Sequence, residues 1–174
     1  MSSPLHLHSR LCYALGMETP PIPEPEPDAL SPAVCHEVLR TCGSFNLRKA
    51  ARAVTQLYDD ILQPTGLCST QVVLLVLLAA EPAWTLTRLG RQLVLSPSTL
   101  SRSLRPLVRE GLVELVPVGP RGKLVRLTPT GHRALRVALP YWQQAQERFM
   151  SLVGPERWSQ VAECLAQMVA VTRV

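Results

Sequence analysis

The 174-residue sequence has few aromatic residues, little charge and no long apolar run. Aromatic residues make up only 5% of the chain, which argues against a stacking platform of the kind that binds single-stranded nucleic acid. The longest uninterrupted apolar run is Val72–Ala80. This run is too short to cross a bilayer, so we predict no transmembrane helix and no membrane partner.

Disulfide frameworks and catalytic signatures are also missing. The five cysteines are an odd number, irregularly spaced and without a Cys-x-x-Cys pair, which is typical of reduced thiols rather than of a secreted protein. Met1–Gly16 lacks a continuous apolar stretch, so we predict no signal peptide and a cytoplasmic protein. No metalloprotease, nucleophile-elbow, phosphate-binding or dinucleotide motif occurs. We therefore expect no enzyme activity, no catalytic residues, no cofactor and no metal site.

Positive charge is concentrated in the middle of the chain. The whole sequence carries a formal net charge of +5, but the stretch from Trp84 to Arg136 contains ten basic residues and only two acids. A basic block between acidic ends predicts a surface that binds a polyanion. The basic residues of this block are Arg88, Arg91, Arg102, Arg105, Arg109, Arg121, Lys123, Arg126, Arg133 and Arg136.

Proline and apolar spacing divide the chain into a tail and a helical start. Thr19–Pro27 alternates proline with acid, which favours extended backbone, so we predict a flexible Pro/acid-rich tail over residues 1–32. From Leu47 to Ile61 apolar residues recur at spacings of three and four, which predicts a helix. Val72–Ala80 is apolar all round, and its length and the following Glu81-Pro82 favour a buried helix over a strand.

The next segment predicts a helix-turn-helix followed by a hairpin. Thr85 can cap one short helix, and Ser96-Pro97 provides an N-cap and a first-turn proline for a second, with only a tight link between them. The pattern then predicts two strands, Leu112–Val118 and Lys123–Leu127, on either side of a glycine-rich turn. This order predicts a winged helix in a mainly α fold with a small β-hairpin wing.

Two more helices complete the predicted fold. Thr128-Pro129 starts a long helix with a stripe that runs from Leu135 to Leu152, and Pro140 should bend it. Gly154-Pro155 starts the last helix. We expect Cys68 and Cys164 to lie in the core.

The second short helix carries the candidate interface. Leu100, Leu104, Leu107 and Val108 form a predicted buried stripe, and short hydroxyls followed by arginines lie on the opposite face. Such a face suits a helix that enters the DNA major groove, where arginine makes bidentate bonds to guanine. Basic residues of the hairpin would add backbone or minor-groove contacts. The candidate DNA-binding residues are Ser98, Thr99, Ser101, Arg102, Arg105, Arg109, Arg121, Lys123 and Arg126.

Several segments together resemble the MarR family of bacterial transcriptional regulators over about residues 42–173. They are Leu47–Thr55, Leu67–Leu75, Leu95–Leu104, Gly111–Val113 and Leu127–Gly131. The most specific are Leu95–Leu104, which contains the start of the second short helix, and the Leu-Thr-x-x-Gly segment Leu127–Gly131. One departure is that Gly119-Pro120-Arg121 lacks the acid that family wings usually place two residues before the tip arginine.

The resemblance implies a domain over residues 33–174, with a winged helix over about 67–127 and dimerisation helices over about 42–63 and 129–173. It implies a homodimer that binds a pseudo-palindromic operator in double-stranded DNA, as a repressor released by a small-molecule or redox signal. An effector pocket would lie between the first core helix and the DNA-binding lobe, and Cys42 is the candidate redox sensor, against the alternative of a buried structural thiol. The alternative function is a winged-helix module that docks an acidic protein partner.

Overall fold

The computed structural model describes residues 31–81, 83–119 and 122–172. The chain falls into two compact units, Met1–Asn46 and Leu47–Val174. Almost all of the predicted tail lies outside the described residues. Pro32, the last residue of the predicted tail, opens a helix.

The first unit contains a helix that the sequence pattern did not predict. Helix α1 (Pro32–Thr41) has Ser31 as its N-cap and a proline at its first position. At its other end, the Asn46 side-chain amide donates to the carbonyl oxygens of Leu39, Arg40 and Cys42. No residue of α1 is buried in this chain.

The two helices predicted next are confirmed. Helix α2 (Gly43–Leu62) ends in a 3-10 turn at Gln63–Thr65, and helix α3 (Ser69–Ala80) follows. The Asp59 carboxylate accepts a 2.6 Å hydrogen bond from the backbone nitrogen of Ser69 and so ties α2 to the start of α3. No single described helix is long and apolar enough to cross a membrane. Helix α2 with its 3-10 turn and α3 together have the length and composition of a membrane span, but they are bent by 75°.

The winged helix has the predicted order with one additional strand. Strand β1 (Trp84–Thr85), helix α4 (Leu86–Leu93), helix α5 (Pro97–Arg109), strand β2 (Val113–Val118) and strand β3 (Gly122–Leu127) follow one another. All strand pairs are antiparallel, in the order β1-β3-β2. The sequence did not predict β1, because two residues are too few to show an alternating pattern.

The core of the second unit lies beneath the winged helix. Its largest fully buried side chains come from α2, α3, α4, α5 and the sheet, and include Leu62, Leu75, Leu89, Leu107 and Val125. Trp84 is buried as well, and its indole nitrogen donates to the carbonyl oxygen of Leu77 over 2.9 Å. These contacts hold β1 and helices α4 and α5 to α3.

Two long helices complete the second unit. Helix α6 (Pro129–Val153) continues through Pro140, and helix α7 (Pro155–Thr172) follows Gly154. Phe149 of α6 meets Trp158 of α7 edge to face with ring centroids 4.9 Å apart. Two expectations were wrong: Leu152, near the end of α6, is 56% exposed, and Cys164 is exposed on α7, of which no residue is buried in this chain.

Helix α2 is joined to α6 by a polar contact at half-buried positions. The Tyr58 hydroxyl donates to the Gln146 side-chain oxygen over 2.5 Å, and the Tyr58 ring lies 6.2 Å from that of Phe149. Burial raises the pKa of Tyr58 above its ordinary value, so the phenol stays a hydrogen-bond donor at neutral pH.

The Leu-Thr-x-x-Gly segment closes the base of the wing. Thr128 caps α6 by accepting from the backbone nitrogen of Gly131, and its hydroxyl lies 2.7 Å from the carbonyl oxygen of Gly111. Gly131 is buried against the Leu112 carbonyl oxygen, where a Cβ atom would overlap that oxygen and lie 2.5 Å from Leu127 Cδ1. A glycine is therefore needed where α6 meets the wing.

We expect Gly131→Ala to lower the free energy of unfolding by about 3 kcal/mol, the upper end of the usual cost of overpacking, because backbone has to move to admit the methyl group. Chemical denaturation measures the change. Gly43→Ala is the matched control, since beyond its chain neighbours and the nearby backbone of its own helix no atom lies within 4 Å of the added Cβ. Equal stability of the two variants would contradict this assignment of Gly131.

Candidate nucleic-acid interface

The start of α5 is built by a group of hydroxyls. Ser96 is the N-cap and accepts from the backbone nitrogen of Thr99 over 3.2 Å, and Pro97 occupies the first helical position. The Ser96 hydroxyl also lies 2.9 Å from that of Thr99 and 3.1 Å from that of Ser98. Thr99 is half-buried with its hydroxyl engaged, whereas Ser98 is exposed at the helix start.

The two faces of α5 separate as its spacing predicted, with one exception. Leu100, Leu104 and Leu107 are at most 2% exposed. Val108 was expected to join them but is 36% exposed, because it lies at the edge of the buried stripe. The side chains that face solvent are Ser98, Ser101, Arg102, Arg105 and Arg109.

The three arginines of α5 have different surroundings. Arg102 Nε donates to the carbonyl oxygen of Ser98 over 3.4 Å, which lays the side chain back towards the helix start. Arg109 lies 3.6 Å from the carboxylate of Glu110, so part of its charge is compensated. Arg105 is exposed on the same face as Arg102. The helix continues through Pro106 to Arg109, which keeps all three arginines on one element.

The basic residues of the wing do not all lie on the side of the hairpin that is next to α5. Successive residues of a strand point to opposite faces, so Lys123 shares the inner face with buried Val125, while Arg126 points to the outer face. Arg126 is paired in register with Glu114 of β2. Lys123 lines a groove together with Ser101 and Arg105 of α5. Arg121, the predicted tip residue, lies outside the described residues.

Arg88 belongs to the basic block of the sequence but has a structural role. Its guanidinium donates two hydrogen bonds to the carboxylate of Glu81, one of them at 2.8 Å, and its Cζ lies 4.2 Å from the centroid of the Trp84 ring. Bidentate pairing and a cation–π contact hold the start of α4 against β1 and the end of α3. A count of positive charges in the sequence does not distinguish an arginine with this structural role from an arginine of the interface.

The candidate redox residue lies in the first unit. Cys42 is half-buried, and its sulfur accepts from the backbone nitrogen of Phe45 over 3.4 Å at the start of α2. Arg40, two residues before this thiol in the sequence, is bound to Glu37 by two hydrogen bonds. Within residues 31–172 as described, no group of three or more His, Cys, Asp or Glu side chains is placed to hold a metal ion.

Sequence reasoning missed the apolar groove beside the candidate interface. The groove has a volume of about 990 Å³ and lies between α4, α5 and the inner face of the wing. Exposed Val108 and half-buried Leu115 are part of its lining. The unexpected exposure of Val108 marks this groove. Because that exposure depends on tertiary packing, the sequence alone does not show it.

The geometry agrees with comparisons to known proteins. A model of the MarR family matches residues 67–116, from the start of α3 into β2. The comparison with curated proteins gives no match. Among solved structures, the transcriptional regulator MosR from M. tuberculosis, in complex with DNA, is 31% identical with a TM-score of 0.68, and the match covers 76% of this chain and 99% of that chain.

Two less similar structures share the fold. The PcaV transcriptional regulator from Streptomyces coelicolor, in complex with its natural ligand, is 22% identical with a TM-score of 0.68 over 78% of this chain and 96% of that chain. CouR from Rhodococcus jostii RHA1, bound to p-coumaroyl-CoA, is 23% identical with a TM-score of 0.65 over 78% of this chain and 97% of that chain. The family match, the nearly complete cover of MosR and the winged-helix geometry lead to one conclusion: the chain belongs to the MarR family of winged helix-turn-helix transcriptional regulators.

Proposed function

We propose that the chain is a sequence-specific regulator of transcription that binds double-stranded DNA as a homodimer and acts as a repressor. The observation that carries this proposal is the exposed face of α5, where Ser98, Ser101, Arg102 and Arg105 project away from a fully buried leucine stripe. A helix of this kind presents short hydroxyls and guanidinium groups to base edges. The 31% identity to MosR, whose structure holds DNA, supports the same function.

The contacts divide into base-reading and backbone-binding groups. Ser98, Ser101, Arg102 and Arg105 lie on the face of α5 that would enter the major groove. Lys123 and Arg121 would bind backbone or the minor groove from the wing. Arg109, beside Glu110, and Arg126, opposite Glu114, would make weaker phosphate contacts, and Thr99 would position Ser96 rather than touch a base.

Two variants separate these roles in a DNA shift assay with the promoter region of the protein's own gene. Arg102→Ala should lose about 1–3 kcal/mol of discrimination between operator and scrambled duplex, because a bidentate contact to guanine is removed. Lys123→Ala should weaken the binding of both duplexes by the same factor. It should also reduce the slope of log affinity against log salt concentration by about one.

Arg148→Ala, at an exposed position of α6, is the control and should bind as the parent protein does. Full operator affinity in both test variants, or parent affinity that is insensitive to salt, would contradict the assigned surface. Capture of an acidic protein that survives nuclease treatment, without operator binding, would instead support a protein-docking module.

The homodimer is proposed from the uncovered apolar surface of the terminal helices. Helix α7 has 18 residues and none is buried, while Val161, Met168 and Val169 are all at least 40% exposed. Leu152 of α6 is exposed as well. Exposed apolar surface of this extent is typical of an interface. We assign dimerisation to helices at about 42–63 and 129–173 and DNA binding to about 67–127.

We expect the double substitution Val161→Glu, Met168→Glu to raise the dissociation constant of the dimer at least about tenfold, because two carboxylates would lose water in an apolar interface. Sedimentation equilibrium measures the constant. Val118→Glu, which is exposed at the end of β2, is the matched control and should remain dimeric. A parent protein that is monomeric at micromolar concentration would refute the assembly.

The releasing signal is proposed to be a small molecule or oxidation of Cys42. A ligand that binds only the folded state raises the melting temperature, so a thermal-shift screen with phenolic acids tests the first route. Peroxide tests the second: it should release operator DNA from the parent protein but not from Cys42→Ser. Release from both proteins would exclude Cys42 as the sensor, and Cys35→Ser, at an exposed position of α1, is the matched control.

A further inference from the structure

The link between α4 and α5 holds a valine in a left-handed backbone conformation. Val94 has φ 54° and ψ 40°. A β-branched residue is an outlier there, because its Cβ lies too close to the following carbonyl oxygen. Four other described residues have positive φ, and all four are glycines: Gly66, Gly111, Gly119 and Gly154. Val94 therefore occupies a kind of position that the described part of the chain otherwise gives to glycine.

The backbone around the link fixes this conformation. The backbone nitrogen of Val94 donates to the carbonyl oxygen of Arg91 over 3.3 Å, and that of Leu95 donates to the carbonyl oxygen of Gly90 over 2.9 Å. The link also passes close to Gly90, where a Cβ atom would lie 3.2 Å from the carbonyl oxygen of Leu95. Bonds of this kind close the end of a helix around a left-handed residue. The turn from α4 into α5 thus requires that conformation, whichever residue stands there.

Packing within the chain does not compensate for the valine. The Val94 side chain is 60% exposed, so its burial contributes little to the stability of the fold. A glycine would make the same turn without the steric cost. Residues held in sparsely populated backbone regions concentrate at functional sites. What valine adds over glycine at this position is an exposed isopropyl group.

This isopropyl group lies beside the proposed DNA face. Val94 lines the same groove as Ser101, Arg105 and Lys123. It stands two residues before Ser96, the N-cap of α5. Base edges in the major groove present hydrogen-bond donors and acceptors together with one apolar group, the C5 methyl of thymine. An apolar side chain among hydroxyl and cationic groups complements that methyl group.

We propose that Val94 is a specificity-determining residue that contacts the methyl group of a thymine in the operator. This inference rests on the proposed function, because it adds a base contact to the same DNA face. The residue lies in the link, outside the helix and the wing that supply the other contacts. A glycine in the link would leave those contacts in place but would not distinguish thymine from a base that lacks the methyl group.

Uracil in place of thymine removes only the methyl group from the base and so tests this contact. Operator duplexes carry 2′-deoxyuridine at one thymine position at a time, in both half-sites together, and a DNA shift assay compares each with the unmodified duplex. At one position the parent protein should bind the uracil duplex about fourfold more weakly for each half-site, the scale of one buried methyl group. Val94→Gly should bind both duplexes equally, and Val94→Thr, which retains a methyl group, should keep a preference for thymine.

Stability measurements separate this role from a structural one. Val94→Gly should have a denaturation midpoint no lower than that of the parent protein, because relief of the left-handed valine offsets the greater freedom of glycine in the unfolded chain. Val137→Ala is the control, since Val137 is 59% exposed on α6 and does not line the groove, and it should discriminate as the parent protein does. A lower midpoint in Val94→Gly, with both duplexes weakened by the same factor and the preference for thymine retained, would assign Val94 a structural role and overturn the proposal.

Failure of this inference is distinguishable from failure of the proposed function. A parent protein that binds its operator with the same affinity at every uracil position would overturn the thymine contact, while the proposed function stands. A preference for thymine that Val94→Gly retains in full would do the same. A parent protein that binds no operator would refute the proposed function, and the thymine contact with it.

Discussion

The packing of Leu100, Leu104 and Leu107 against the core determines what α5 can present to a partner. Each of these side chains is almost completely buried, which is worth about 1.5–3 kcal/mol apiece relative to exposure in water. A rotation of α5 about its axis would expose these leucines and bury serines and arginines without partners, which is costly. The buried stripe therefore fixes the direction of Ser98, Ser101, Arg102 and Arg105 before any duplex is present. Such pre-organisation lowers the entropic cost of binding.

The basic block that marks the sequence is not one surface in three dimensions. Arg88 is bound to Glu81 and stacked on Trp84, where it holds α4 in place. Arg126 lies on the outer face of the wing opposite Glu114, and Arg109 lies beside Glu110. The charges left for a duplex along α5 and the inner wing are fewer than the sequence count indicates. The salt dependence of DNA binding reports the number of phosphates neutralised, so under the proposed function we expect it to follow this smaller set rather than the net charge of the chain.

Local chemistry made much of this fold predictable from sequence. Ser96-Pro97 and Thr128-Pro129 start helices because a side-chain oxygen and a proline satisfy the needs of a first helical turn, and both are found at helix starts. What depends on distant partners was not predicted. Strand β1 exists only by pairing with β3, and Cys164, expected in the core, is exposed on α7. The opposite directions of Lys123 and Arg126 follow from strand alternation, a signal the charge count overlooked.

The groove and the candidate interface are consequences of the same packing. Because α5 turns its leucines inward, Val108 is left at the edge of the buried stripe, and Leu115 of the wing lines the same groove. The side chains at that edge, Ser101, Arg105 and Lys123, are shared by both surfaces.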